Sequence, residues 1–155
     1  MRKITKLLLV AGFFVATGAQ AQDRAWSDVQ SSVWTVVEQS WDAQAAENGK
    51  WPGDFVHDDV IQWSDNFPAP RGKDAYIAWQ RSVDESSDSV WHEISPLAIT
   101  VVGDTAVVAY SAFLGFENSD GSSGTVVRSI VEVLIRDGRS WKYLATSDFS
   151  PSYGN

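Results

Sequence analysis

Two kinds of periodicity follow one another in this chain without mixing. Apolar residues recur at helical spacing in its first half and alternate with polar ones in its second. Beyond residue 89, the segments 90–102, 106–116, 125–136 and 140–146 read as strands. Gly103-Asp104 and Asp137-Gly138 between them are tight hairpin signals, and 117–124 is a longer loop rich in Gly and Ser. Strands joined by such turns run antiparallel. Pro96 has no N–H to give to a ladder, so it belongs at a bulge or an edge.

The first half carries the helices. Trp26, Val29, Val33, Val37, Trp41 and Ala45 draw one apolar stripe along a helix over 23–46, with Asp23 or Ser27 as its cap and Gly49 where it stops. Residues 51–56 read as a turn or a short helical piece, followed by a strand through Val60-Ile61-Gln62-Trp63. Two prolines and a glycine make 65–72 a loop. Asp74, Ala75, Ile77, Ala78, Trp79 and Val83 then give a second helix. Helices first and an antiparallel meander last predict an α+β domain whose helices cover one face of a curved sheet.

Residues 1–21 stand apart from this pattern. Arg2, Lys3 and Lys6 precede an uncharged apolar run, and Ala19-Gln20-Ala21 supplies small residues before a polar stretch, the layout of an export leader. The apolar run is about half of the ~20 residues a bilayer-spanning helix needs, and nothing later is comparably apolar, so no membrane span is expected after cleavage. Periplasm or exterior is then the expected location, and 22–155 is expected to form one domain of 134 residues.

The leader holds three of the twelve basic residues and none of the twenty acidic ones, which leaves nine basic against twenty acidic, a formal charge of −11. Such a surface repels phosphate backbones, so nucleic acid is not an expected partner. With no cysteine there is neither a disulfide nor a thiolate site, and stability has to come from packing, to which eight tryptophans can contribute.

Several pieces together resemble a known family. They are Phe55-Val56-His57-Asp58-Asp59-Val60-Ile61-Gln62-Trp63, a Pro-rich loop into Arg71-Gly72-Lys73-Asp74-Ala75, then Val102-Gly103-Asp104-Thr105-Ala106-Val107-Val108 and Arg136-Asp137-Gly138-Arg139-Ser140-Trp141-Lys142. Their order and spacing resemble the SnoaL-like, ketosteroid-isomerase-like branch of the nuclear transport factor 2-like (NTF2-like) superfamily. The resemblance implies a cone-shaped α+β fold, with N-terminal helices packed in a strongly curved antiparallel sheet, an internal cavity, and in many members a homodimer formed through the outer sheet face. Isomerases, cyclases, hydrolases, carriers and non-catalytic modules share that fold, so it does not decide function.

Candidate site residues follow from alternation and from the resemblance. On the third strand of the meander, Val126, Arg128, Ile130, Glu132 and Leu134 share one face, while Val127, Ser129, Val131, Val133 and Ile135 share the other and read as a packing face. Arg128 and Glu132 are about 13 Å apart along the strand. Either they line the cavity, where the arginine orients an anionic or carbonyl-bearing ligand, or both are solvated at the sheet edge.

Asp65 lies one residue beyond the position, here Ser64, at which the resemblance places a carboxylate base. It is either that base or the residue that starts the Pro-rich turn. Trp41, Trp63, Trp79, Trp91 and Tyr110 are pocket walls if they point inward and core residues otherwise, with Tyr143 and Asp148 as weaker candidates. His57 and His92 are the only histidines and do not stand at metal-ligand spacing, so neither metal nor cofactor is implied. Three functions stay open: a binding protein enclosing a small apolar ligand, a cofactor-free isomerase, lyase or hydrolase, and an interaction module whose cone is filled by its own side chains.

Overall fold

In a computed structural model of the protein, which describes residues 25–64 and 67–149, two helices precede a five-stranded sheet. The expected leader and Asp65 lie outside the described residues.

The first helix, α1, spans Asp28–Ala45, and Ser27 caps it. The Ser27 side chain accepts from the Gln30 N–H, and the Gln30 side chain accepts from the Ser27 N–H, a reciprocal arrangement that satisfies two otherwise unpaired donors. Val33 and Val37 from its apolar stripe are fully buried. Polar side chains fix the helix across the sheet, Gln30 Nε2 donating to the Ile99 carbonyl at 2.6 Å and Trp141 Nε1 to Ser32 Oγ at 3.1 Å.

After β1 (Val56–Ser64) comes α2 (Lys73–Asp84), then the meander β2 (Ser87–Val102), β3 (Thr105–Asn118), β4 (Ser123–Asp137) and β5 (Ser140–Phe149). The meander is antiparallel throughout, and Gly103 and Gly138 turn its two tight hairpins with φ of 58° and 63°. Pro96 lies at a register break on β2, an edge strand. The strand order is β1-β5-β4-β3-β2, and the sheet is curved and mixed.

One pairing departs from an all-antiparallel sheet. β1 joins the free edge of β5 in parallel, with Gln62 beside Thr146 and Ser64 beside Asp148. A parallel neighbour requires a long crossover, and α2 followed by the first three meander strands supplies it. That contact is made late in the chain and leaves no local signature near β1.

Alternation then sorts the sheet into two faces. On β3, Ala106, Val108, Tyr110 and Ala112 are buried, whereas Val107 and Phe113 are 41% and 44% exposed. The same split corrects the expected packing face of β4. Val131 is exposed, and it shares the outer face with its partners Ala109 and Ser147.

Two expected pocket walls are corrected as well. Trp63 is 53% exposed on the outer face, because register with β5 turns Gln62 and Ser64 inward. Trp91 sits outside too, after a register break at Val90 sets it opposite Gly115. A Cβ on Gly115 would overlap its indole, so the glycine makes room for that ring. No described helix is long and apolar enough to cross a membrane.

Candidate functional site

Inward-facing residues on adjacent strands form rows across the concave side. Gln62 of β1, Thr146 of β5, Glu132 of β4 and Val108 of β3 make one row, and Ser64, Asp148, Ile130 and Tyr110 make the next. Gln62, Thr146, Asp148, Ile130, Glu132 and Tyr110 line a cavity of about 430 Å³ between the sheet and the helices. α1 contributes Ser40 and Trp41, the link after it Trp51, and α2 Tyr76, Trp79 and Gln80.

Hydrogen bonds hold the aromatic walls in place. Trp41 Nε1 donates to the Tyr110 hydroxyl at 2.9 Å. Trp51 Nε1 donates to Gln80 Oε1 at 3.2 Å, and Gln80 Nε2 in turn donates to Asp84 Oδ1 at 2.7 Å. Trp51 also meets the Tyr76 and Tyr143 rings edge-on at centroid distances of 5.8 and 5.7 Å, and Tyr76 stacks on Trp79. These contacts fix the rings in place while a space remains between them.

Glu132 puts a buried carboxyl on the floor. It is 5% exposed, and burial pushes its carboxyl up to about 8. The Tyr110 hydroxyl pulls the value back, Asp148 raises it further, and the Tyr143 hydroxyl lowers it again.

Ser40 Oγ donates to the Val37 carbonyl at 2.7 Å and lies 2.8 Å from the Tyr143 hydroxyl, which ties α1 to the buried end of β5. Glu132 Oε2 has no partner, and neither does the Oε1 of Gln62, which is 3% exposed. Burial likewise drives the Tyr76, Tyr110 and Tyr143 hydroxyls to higher pKa, so all three remain neutral.

The expected site residues divide as follows. Trp41, Trp79, Tyr110, Arg128, Glu132 and Asp148 come together at the cavity, and Tyr143 lies buried beneath its floor. Trp63 and Trp91 face outward. Arg128 is not a free cation, since its Nη1 pairs with Asp148 Oδ2. Gln62, Trp51, Tyr76 and Gln80 line the site without having been singled out in the sequence. Gln62 carried a usable signal in the alternation Val60-Gln62-Ser64 against Ile61-Trp63, but apolarity pointed to the wrong face. The histidines stand outside the cavity lining, His92 3.6 Å from Asp42 of α1 and His57 beside Asp59.

No family model matches the sequence, and no curated protein does. Solved structures do match. A ketosteroid isomerase-like protein from Erwinia carotovora superposes with a TM-score of 0.72 at 15% identity, over 82% of this chain and 99% of that one. An NTF2-like protein from Cytophaga hutchinsonii gives 0.70 at 16% identity, over 81% and 100%. An NTF2-like protein of unknown function in nutrient uptake, from Rhodospirillum rubrum, gives 0.66 at 17%, over 77% and 98%. What is shared at these identities is the architecture, and the chain has the NTF2-like fold.

Proposed function

We propose that this NTF2-like domain is an exported binding protein that encloses a small, largely apolar organic ligand between its helices and the concave face of its sheet. The observation that carries the reading is a cavity of about 430 Å³ walled by immobilised aromatic rings with two unpartnered acceptors on its floor. A volume of that size suits a small organic molecule. A cone filled by its own tryptophans, the expectation for a pure interaction module, has no such space.

The test is native mass spectrometry of the protein purified from its source. The expected result is a small molecule that leaves on denaturation, and mature chains that start at Gln22, in keeping with an export leader. Protein that emerges without a bound molecule and shows no thermal shift with any member of an apolar compound library would overturn the reading.

One observation favours catalysis as a second reading. A buried carboxyl raised to about 8 beside tyrosine hydroxyls is suited to proton transfer, and in this reading Glu132 is the acid or base. Turnover of the molecule so identified, lost in Glu132→Gln, separates enzyme from carrier. The outer sheet face, apolar and exposed among the described residues, is where a second copy of the chain would pack.

A further inference from the structure

The cavity is unevenly charged. Glu47, Asp84 and Asp88 stand at its mouth, close enough that Asp88 and Asp84 help burial to raise the Glu47 carboxyl. Among the described residues no lysine lines the cavity, and its one arginine, Arg128, is already paired with Asp148. Both helices also end here, α1 beside Gln44 and Glu47 and α2 at Val83 and Asp84. A helix C-terminus carries about half a negative charge, and the last turn of α1 holds no basic residue to offset it.

The floor and walls have a complementary requirement. Gln62 Oε1 and Glu132 Oε2 are buried acceptors with no donor, set on one row with only Thr146 between them. An acceptor buried in that way is destabilising until something donates to it. The indole N–H groups of Trp41 and Trp51 are occupied by Tyr110 and Gln80, so these walls offer ring faces, which attract cations. Trp79 already does so toward Arg71, whose guanidinium carbon lies 4.7 Å from the ring centroid.

We propose that the ligand is an organic cation, an ammonium group on an apolar body, whose N–H groups donate to Glu132 and Gln62 while the rings enclose the rest. The proposal rests on the binding reading above and narrows it by charge. The mouth carboxylates draw the cation in. At the floor it favours carboxylate over acid at Glu132, in the same direction as the Tyr110 and Tyr143 hydroxyls and against burial and the charge of Asp148. Binding near neutral pH therefore sends a proton from Glu132 to solvent.

Phenethylamine, phenethyl alcohol and phenylpropanoate share a ring and a short chain and differ in charge, and calorimetric titration of the intact protein compares them. The amine is expected to bind about tenfold more tightly than either of the others, with an enthalpy that depends on the buffer's ionisation heat. Glu132→Gln should weaken amine binding about tenfold and abolish the buffer dependence. Asp88→Asn, at an exposed position that folding tolerates, should weaken it about two- to threefold and reduce its salt dependence. Equal affinity for the alcohol or the carboxylate, or an enthalpy indifferent to buffer, overturns the proposal. Nile red, a neutral dye, separates the two levels. If it binds while the amine gains nothing over the alcohol, only the charge assignment fails. If neither the dye nor any of the three probes binds, the binding reading fails as well.

Discussion

On the concave face of the sheet, β4 carries Arg128 and Glu132 among Ile130 and Leu134; on the convex face, one residue away in each case, it carries Val127, Val131 and Val133. The inward face holds a buried carboxyl, and the outward face exposes valine. β1 repeats the arrangement, with Gln62 and Ser64 buried and Ile61 and Trp63 exposed. A half-buried strand ordinarily places its apolar residues inside and its polar ones in water. The reversal teaches that neither face is there only to stabilise the fold. The polar interior lines a cavity, and the apolar exterior leaves valine, isoleucine and tryptophan in water.

The largest effect that tests this contrast is the pH dependence of Glu132. Its carboxyl rises from an ordinary 4.5 to about 8 on folding. Between those values the unfolded chain has lost the proton and the native chain keeps it, so stability falls as pH rises, by about 1.4 kcal/mol per pH unit. Below the window both states are protonated, above it both are ionised, and the slope vanishes at each end. The whole window amounts to on the order of 5 kcal/mol. Asp58 and Asp120, held low by Lys73 and Ser122, act on the acid side, while the raised Glu47 adds to the decline only at the window's acid end. Urea unfolding followed by tryptophan fluorescence between pH ~5 and ~8 should show the decline, and Glu132→Gln should flatten it. A wild-type profile as flat as the variant's would mean that the inner face does not bury an acid.

Next in size is a pair of truncations on the same strand. Leu134 is fully buried and Val131 is 45% exposed, three residues apart on opposite faces. Leu134→Ala should cost about 2–5 kcal/mol and Val131→Ala no more than about 0.5 kcal/mol. Equal costs in chemical denaturation would show that the convex face is packed against something and that the contrast is false.

Much of this arrangement was legible in the sequence, and its failures share one cause. Period and turn chemistry are local, so the helices, the meander and the shared face of Arg128 and Glu132 could be read directly from the residues. Which face turns inward is decided by partners far away in the chain. Trp63 turns outward because Thr146 and Asp148, more than eighty residues later, set the register that buries Gln62 and Ser64. Trp91 turns outward after a one-residue slip at Val90. At β1 the rule that apolar residues face inward gave the reverse of the structure, since Gln62 lines the cavity. Asp65 stays where the sequence put it, as a candidate beyond the described residues.

The smallest stability effect probes the convex face, where the readout that matters is assembly. Phe113 of β3 and Val131 of β4 are exposed on the outer face, and Trp63 of β1 is exposed across β5 from them, with Ala109, Ser111 and Ser147 in the intervening positions. Exposed apolar patches are where folded domains commonly meet a partner. Because the side chains already stand in solvent in the single chain, replacing Phe113 and Val131 by serine removes little native packing. The unfolding free energy of the isolated chain should move by no more than about 0.5 kcal/mol per site. If a second copy covers this face, the same change removes the apolar centre of the interface, and sedimentation should find the double variant monomeric where the wild type is a dimer. A dimer that survives the double substitution places the interface elsewhere. A wild type that is monomeric at every concentration leaves the exposed valines without a partner, and the parallel between a site inside and a contact outside is then broken on its outer side.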